Sequence, residues 1–372
     1  MKYPSFLVVL LTSVGVINAQ DTTPPATTID TTETLLEVVI SANYFFGSKF
    51  ETQNRTGSAF YLSPAELKKY NYTDVNRALR SVPGVNLYEE DGFGLRPNIS
   101  LRGTSPERSS KITIMEDGVL IAPAPYSAPA AYYFPSIARM EAVEILKGSS
   151  QVQYGPFTTG GAINFISSSI PQKFSGNVNA SYGSYNTSNI HARVGNSHKN
   201  FGYMVEYQNL GSTGFKDLDG GDNTGFDKDD FVAKFRLNTN PEAKLGQALD
   251  LKFQYSDETS NETYLGLSQE DFERTPFRRY AGSQADQMNA DHLQFMATHT
   301  LKFSDYFNIT TTGYYNEFGR NWYKLDKVRA AGSNSGIADI LEDPSGFEEA
   351  FGIVSGRINS AADALTVKNN NR

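Results

Sequence analysis

Four segments between residues 98 and 165 decide the fold of this chain: NISLRG (98–103), KITIMEDG (111–118), EILKGSSQVQYG (144–155) and GGAINF (160–165). Each combines apolar residues with flanking glycines. Short apolar or alternating runs bounded by glycine predict β-strands. Asp117-Gly118 between two apolar runs predicts a hairpin, because glycine accepts a positive φ. The stretch therefore predicts a compact set of short strands joined by glycine turns.

Two short helices are predicted before these strands. Ser63-Pro-Ala-Glu66 has the form of a capping box with proline in the first turn. Thr73 is predicted to cap a second helix that ends before Pro83-Gly84. The apolar face of that helix carries Val75, Ala78, Leu79 and Val82. Helices followed by short strands predict a small α+β domain over residues 44–169.

The N-terminal residues predict export. Met1-Lys2 is a short basic region, Phe6 to Ile17 is apolar, and Ile17-Asn18-Ala19 is a small-residue cleavage site. These features predict a signal peptide over residues 1–19. The alternative, a membrane anchor, needs about 20 apolar residues, and this run is shorter. Residues 20–43 begin with a run rich in Thr and Pro and are predicted to be a disordered linker.

The composition excludes several classes of protein. The chain has 372 residues, no Cys and a net charge of −8. An exported chain without cysteine is not a disulfide scaffold, and the negative charge argues against a nucleic-acid partner. No later stretch of the sequence is long and apolar enough for a membrane helix, so a membrane-embedded form has to be a barrel.

Residues 170–372 are predicted to form the N-terminal part of an antiparallel transmembrane β-barrel. About seven strands alternate apolar and polar residues, at 178–182, 190–194, 203–207, 231–237, 249–255, 292–303 and 307–318. From the second connection onward, short and long connections alternate. Outer-membrane barrels show this asymmetry, with short periplasmic turns and longer external loops. A soluble β-sandwich, the alternative, has no reason to sort its connections in this way.

The ordered motifs between residues 98 and 165 resemble the plug domain of TonB-dependent outer-membrane receptors. The resemblance implies a plug inside a barrel in the bacterial outer membrane, and a TonB-type periplasmic protein as energy-transducing partner. Barrels that hold a plug have about 22 strands. Because about seven are predicted here, we expect an N-terminal fragment with an incomplete barrel.

Residues 35–42 resemble the TonB box, the segment that pairs with that partner. Its β-prone run consists of Leu36, Glu37, Val38, Val39 and Ile40. Strand addition needs only free backbone and alternating side chains. The alternative is an ordinary first strand of the plug.

Signatures of catalysis and metal binding are missing from the sequence. The four His lack Glu-x-x-His spacing, and the glycines between residues 148 and 161 lack the Gly-Lys-Ser/Thr ending of a phosphate loop. Glu116-Asp117 is assigned to the hairpin turn, and residues 217–222 lack the bidentate Glu of an EF-hand loop. The chain is therefore predicted not to be an enzyme and to hold no cofactor or metal of its own.

The plug connection 122–135 and the barrel loop around 275–280 resemble the ferric-citrate branch of the receptor family. That resemblance implies a ferric chelate as transported ligand, with ferric citrate first, held by arginines that pair with its carboxylates. The candidate ligand residues are Arg108, Tyr126, Ser127, Arg278, Arg279 and Gln284. Arg102 is expected to bond within the plug instead. The alternatives are another siderophore, cobalamin or haem, and, in another class, a barrel enzyme or adhesin.

The TonB-box assignment predicts the effect of one substitution. Proline has no backbone N–H and cannot complete the ladder of an added strand. Val39→Pro in the receptor should therefore abolish chelate uptake and leave ligand binding nearly unchanged. Uptake and binding assays on the same cells measure both quantities. Unchanged uptake would identify residues 35–42 as a plain plug strand.

Overall fold

The computed structural model describes residues 44–54, 57–122, 130–147, 149–155, 159–240, 242–304, 306–361 and 364–371. The predicted signal peptide, the linker with its TonB box, and the candidate ligand residues Tyr126 and Ser127 lie outside these ranges. No helix in this described part of the chain is long and apolar enough to cross a membrane.

Residues 44–167, which we call the plug unit, contain short helices and short strands. The α-helices are α1 (Lys49–Asn54), α2 (Pro64–Tyr70) and α3 (Val75–Leu79). The strands are β1 (Ser58–Leu62), β2 (Val85–Tyr88), β3 (Asn98–Leu101), β4 (Ile112–Glu116), β5 (Val119–Leu120), β6 (Met140–Lys147) and β7 (Gly161–Ser167). The predicted α+β architecture is confirmed.

Five of these strands form one sheet in the order β1–β6–β7–β4–β5. β4 and β7 run parallel, and the other neighbours are antiparallel. Asp117 (φ 49°) and Gly118 (φ 78°) turn the chain between β4 and β5. Two successive positive φ angles are the geometry of a tight hairpin, so the predicted Asp-Gly hairpin is present.

The helix starts agree with the sequence at one position and differ at another. The capping box of α2 is confirmed, with Ser63 and Glu66 bonded reciprocally. The prediction that Thr73 caps α3 is wrong, because Asp74 is the N-cap and its carboxylate accepts the Asn76 N–H at 2.8 Å. Asp is at least as good an N-cap as Thr. The predicted apolar face is buried, and it carries Val75, Ala78, Leu79 and Val82.

The rest of the described chain is dominated by long antiparallel strands. In chain order its elements are β8 (Ser175–Tyr182), β9 (Ser188–His198), β10 (Phe201–Ser212), β11 (Asp217–Leu218), β12 (Phe226–Asn238), β13 (Gly246–Asn261), α4 (Gln269–Arg274), β14 (Arg278–Arg279), β15 (Gln287–Lys302), β16 (Asn308–Ala330), β17 (Ser333–Gly336), α5 (Ile337–Glu342), α6 (Glu348–Val354) and β18 (Leu365–Asn371).

Seven long strands form a meander in the order β8–β9–β10–β12–β13–β15–β16, which we call the barrel sheet. They match the seven predicted strands, and β17 and β18 both pair with β16 in addition. The predicted end of the seventh strand at residue 318 is wrong. Gly319 pairs with Asp291 of β15, and residues 321–328 pair with β18, so the cross-strand ladder carries β16 on to Ala330.

The two faces of the barrel sheet have opposite character. The exposed face is aromatic and includes Phe231, Phe235, Phe253, Tyr255 and Phe295. The buried face is polar; Lys252 and Gln254, for example, hydrogen-bond to Glu116 of the plug unit. A soluble sandwich buries its apolar face, whereas a membrane barrel turns that face toward lipid. The distribution therefore excludes the sandwich and confirms the barrel class.

The long connections at one end of the barrel sheet fold together into a cap, comprising residues 213–225, 262–286 and 331–361. β11 pairs in parallel with β14, which joins the first two connections. A second apolar core joins the cap to β16, and its buried members are Leu265, Tyr280, Leu325, Val328, Ile340, Ala350 and Val354. The cap is therefore a packed unit.

Substitution of Tyr280 tests whether the cap folds as one cooperative unit. Its side chain is fully buried, its hydroxyl donates to Asp271 at 2.7 Å, and its ring meets Phe351 edge-on at 5.5 Å. Tyr280→Ala should cost about 3–5 kcal/mol of local stability, as for other large aromatic truncations. Hydrogen exchange should then quicken across α4, α5 and α6 and stay unchanged in β12 and β13. The control is Phe277→Ala, at an exposed cap position; slow exchange in α5 and α6 of Tyr280→Ala would contradict a cooperative cap.

Candidate functional site

A buried ionic cluster joins the plug unit to the barrel sheet at the Asp-Gly hairpin. Lys252 of β13 donates to both Glu116 and Asp117, at 2.8 Å each. Arg139 of the plug unit donates to both oxygens of Glu116, at 2.6 and 3.1 Å. Lys234 of β12 lies 3.5 Å from Asp117. The interface between the two parts is thus ionic at its centre.

The charges of this cluster balance. Asp230 of β12 lies 3.4 Å from Arg139 and completes three cations against three carboxylates. Burial alone would raise the pKa of Glu116, but the charges of Arg139 and Lys252 hold it well below its ordinary value. Lys234 and Lys252 likewise outweigh burial and lower the pKa of Asp117. Both carboxyls are therefore ionised at neutral pH.

A second ionic contact lies nearer the cap. Arg96 of the plug unit pairs with Glu258 and Glu262 of the barrel chain, and its side chain is 3% exposed. Lys228 of β12 donates to the Phe134 carbonyl at 2.8 Å and lies 3.7 Å from Glu258. The plug unit is therefore held to the wall at two levels by paired charges.

Six cationic and aromatic side chains, which we call the cation–aromatic cluster, gather on the cap side of the plug unit. They are Arg108 and Tyr132 of the plug unit, Tyr264 of the cap, and Arg320, Trp322 and Lys324 of β16. The Arg320 guanidinium lies 3.7 Å from the centre of the Tyr132 ring, and the Lys324 ammonium 5.1 Å from that of Trp322. Tyr264 and Trp322 have ring centres 5.0 Å apart. Arg320, Trp322 and Lys324 share a face of β16 because strand side chains alternate.

The cations of this cluster are incompletely neutralised. Arg108 pairs with Glu90 through two bonds of 2.6 and 2.7 Å. Arg320 is 6% exposed, and its Nε and Nη1 have no hydrogen-bond partner among the described residues. An ionised group is costly to bury without hydrogen bonds. The cluster is therefore suited to an anion that also presents a flat or apolar surface.

The candidate residues predicted in the barrel loop lie together in the cap. Arg278 is paired with Asp219 at 2.8 Å and lies 3.4 Å from Asp271. Arg279 donates to the carbonyl of Pro276 at 2.9 Å, and the Gln284 amide donates to that of Asp219 at 3.0 Å. The contacts of Arg278 and Gln284 with Asp219 connect the first two connections of the cap. Arg108, the plug candidate, instead belongs to the cation–aromatic cluster.

Burial distinguishes two cap cations from the others. Burial lowers the pKa of the Arg279 guanidinium. Burial, followed by the charge of Arg279, lowers the pKa of Lys216 to about 8. The Lys216 ammonium donates to the Thr263 hydroxyl at 2.8 Å. Burial therefore reduces the positive charge that Lys216 keeps at neutral to alkaline pH, and the cap as a whole has more acidic than basic residues.

Further contacts involve Arg102, His292 and the Glu116-Asp117 pair. Arg102 donates to the Lys147 carbonyl within the plug unit, as predicted. His292 stacks on Tyr133 of the plug unit, with ring centres 3.9 Å apart. Glu116 and Asp117 do more than form a turn, because both bind barrel lysines. Within the described ranges, no group of three or more His, Asp or Glu is placed to hold a metal ion.

The family of the plug unit follows from comparison with known proteins. Residues 51–162 match the family model of the TonB-dependent receptor plug domain. Residues 51–162 are therefore similar to the plug domain of TonB-dependent receptors. Receptors of this family are outer-membrane β-barrel proteins, so the predicted outer-membrane location is confirmed at the family level.

Solved structures share the fold of plug and barrel sheet. The ferric citrate transporter FecA, unliganded, is 21% identical with a TM-score of 0.64, over 75% of this chain and 42% of that chain. The siderophore receptor PirA from Acinetobacter baumannii is 16% identical with a TM-score of 0.52, over 86% and 44%. The ferric yersiniabactin uptake receptor FyuA from Yersinia pestis is 16% identical with a TM-score of 0.54, over 72% and 43%. The chain thus spans less than half the length of these structures.

Lys252 tests the ionic interface between plug and barrel. Lys252→Met removes the ammonium that bridges Glu116 and Asp117 and leaves these carboxylates buried with less neutralising charge. Breaking a buried pair in this way costs about 3–5 kcal/mol. Thermal unfolding of the detergent-solubilised receptor should therefore begin at a lower temperature. Lys244→Met, at an exposed position, is the control; equal melting temperatures for the two variants would show that the cluster does not hold the plug.

Proposed function

We propose that this chain is part of a receptor that binds an anionic ferric chelate, with ferric citrate as the ligand, and imports it across the outer membrane. The observation that carries the proposal is Arg320, a buried cation with two guanidinium nitrogens unpartnered among the described residues. Its position beside the plug and under the cap is where a ligand from outside would arrive. Ferric citrate carries several carboxylates, and arginine binds carboxylates with a planar fork of donors.

Charge supports an anion over a neutral ligand. The chain carries a net charge of −8, so an anionic chelate is attracted only by a local excess of positive charge. Arg108, Arg320 and Lys324 provide that excess; Glu90 pairs with Arg108, and Asp286 lies within electrostatic reach of Lys324. We propose that Arg278, Arg279 and Gln284 of the cap, with Tyr126 and Ser127 of the plug, complete the ligand contacts when the cap closes.

Import then needs three steps. The chelate binds between plug and cap, the cap shifts over it, and tension on residues 35–42 from a TonB-type periplasmic partner rearranges the plug to open a path. No covalent step is required, in keeping with a family of receptors and transporters. The balanced charges at the plug–barrel interface support such a rearrangement, because lysines on the wall and carboxylates on the plug regain hydration as they separate.

A second ligand class is favoured by one observation. Tyr132, Tyr264 and Trp322 give the cluster three aromatic rings, which suit the flat catechol rings of an aromatic siderophore. Haem has less support, since His292 is buried against Tyr133. A barrel enzyme or adhesin would have no use for a plug with paired charges against the barrel wall.

Titration of ferric citrate into the purified receptor tests the proposal. Arg320→Met should weaken binding at least about tenfold, because one charge-assisted hydrogen bond contributes roughly 1.5–3 kcal/mol and 1.4 kcal/mol is a factor of ten. The Arg278→Ala/Arg279→Ala double variant should lose at least as much. Arg77→Met, exposed on a plug helix, should bind as the unmodified receptor does.

Two outcomes would contradict parts of this assignment. Equal affinities of Arg320→Met and Arg77→Met would remove Arg320 from the site. Binding of a ferric catecholate by a receptor that ignores ferric citrate would replace citrate by the aromatic class.

A further inference from the structure

A buried carboxylate holds the chain where it enters the plug. Glu144, in the middle of β6, is fully buried. Its two oxygens accept the backbone N–H groups of Phe45 (2.7 Å), Phe46 (3.1 Å) and Gly47 (2.7 Å). Bonds from backbone N–H to an ionised carboxylate are shorter and stronger than neutral ones. Three consecutive residues are thus bound by one side chain 97 to 99 positions away in sequence.

Apolar contacts reinforce this grip. Phe45 is 6% exposed and packs in a small core with Met115, Leu146 and Ala162. Its ring centre lies 4.1 Å from that of Tyr154. Residues 44–48 belong to no strand; the Glu144 bonds and these apolar contacts, to which Phe46 adds, join this segment to the sheet. The next junction with the sheet along the chain is β1, an edge strand whose partner among the described strands is β6.

A short relay connects Glu144 to the ionic cluster. The Asn164 amide of β7 donates to Glu144 at 3.0 Å, and its carbonyl oxygen accepts the Gly118 N–H at 3.0 Å. Gly118 directly follows Asp117, which binds Lys252 and Lys234 of the barrel. Two polar links therefore separate residues 45–47 from the contacts that hold plug to wall.

We propose that Glu144 is the positioning residue through which tension on the chain before residue 44 enters the centre of the plug sheet. The inference rests on the proposed function only for the source of that tension, the periplasmic partner. With Glu144 in place, the load reaches β6 and β7 and, through Asn164, the hairpin that carries Asp117. Without Glu144, tension extends the chain before β1 first and then separates β1 from β6 at the edge of the plug sheet.

Single-molecule pulling on the receptor in a membrane tests this assignment without any ligand. The chain has no cysteine, so Ala42→Cys places a single thiol in this part of the receptor while the membrane holds the barrel. The unmodified plug should resist until the sheet ruptures in one long first step. Glu144→Gln should add an earlier step at lower force, with an extension of about 40 Å, the length of roughly a dozen residues at about 3.3–3.6 Å each.

The matched control is Glu141→Gln, on the same strand, whose carboxylate pairs with Arg193 of the barrel; it should give the unmodified pattern. Hydrogen exchange in β6 and β7 checks that each variant keeps the fold. If Glu144→Gln does not fold, Phe45→Ala removes the apolar half of the grip and should give the same early step. An unmodified force pattern in the folded Glu144→Gln variant, or an early step in Glu141→Gln as well, would overturn the proposal. Failure of ferric citrate to bind would count against the ligand assignment alone.

Discussion

The ion pairs between the plug hairpin and the barrel lysines are the constraint on which the rest of the structure depends. Glu116 and Asp117 project from the plug toward Lys252 and Lys234, and Arg139 closes the set. Buried charges of this kind are costly unless paired, so the register between plug and wall is specified. Because the same groups are well solvated in water, the interface can separate at lower cost than an apolar core of equal size.

The barrel sheet is consequently polar inside and aromatic outside. The inner face supplies lysines, glutamates and glutamines to the plug, whereas the outer face presents Phe and Tyr to lipid. Toward the cap the charges are no longer fully paired. Arg320 instead makes a cation–π contact with the Tyr132 ring. The proposed holding and binding functions therefore fall on different parts of the interface, with neutralised charge in its lower part and spare positive charge nearer the cap.

Local sequence patterns predicted most of the strands and turns. They could not predict which residues pair when they lie far apart in the sequence. Period-two alternation located the seven long strands, and Asp117-Gly118 located the hairpin. The partner of Glu116 could not be read from the sequence, because Lys252 is 136 positions away. The sequence did not indicate Arg320 as a site residue, because the predicted strand ends at 318. Arg320, Trp322 and Lys324 occupy every second position, as in a strand, but none is aliphatic, so the pattern resembles that of a loop. The sequence pattern did not distinguish Thr73 from Asp74 as the N-cap of α3, because both residue types are good N-caps.

The central claim is that the plug must part from the barrel wall for a chelate to pass. Asn316 of β16 donates to the Leu120 carbonyl of the plug at 3.1 Å, and the chain itself has no cysteine to interfere. A short reducible linker between Leu120→Cys and Asn316→Cys joins the two parts, and uptake of radiolabelled ferric citrate is measured before and after reduction. The account predicts retained binding, no uptake while linked, and recovery on reduction. Uptake at the unlinked rate by fully linked receptor would contradict it.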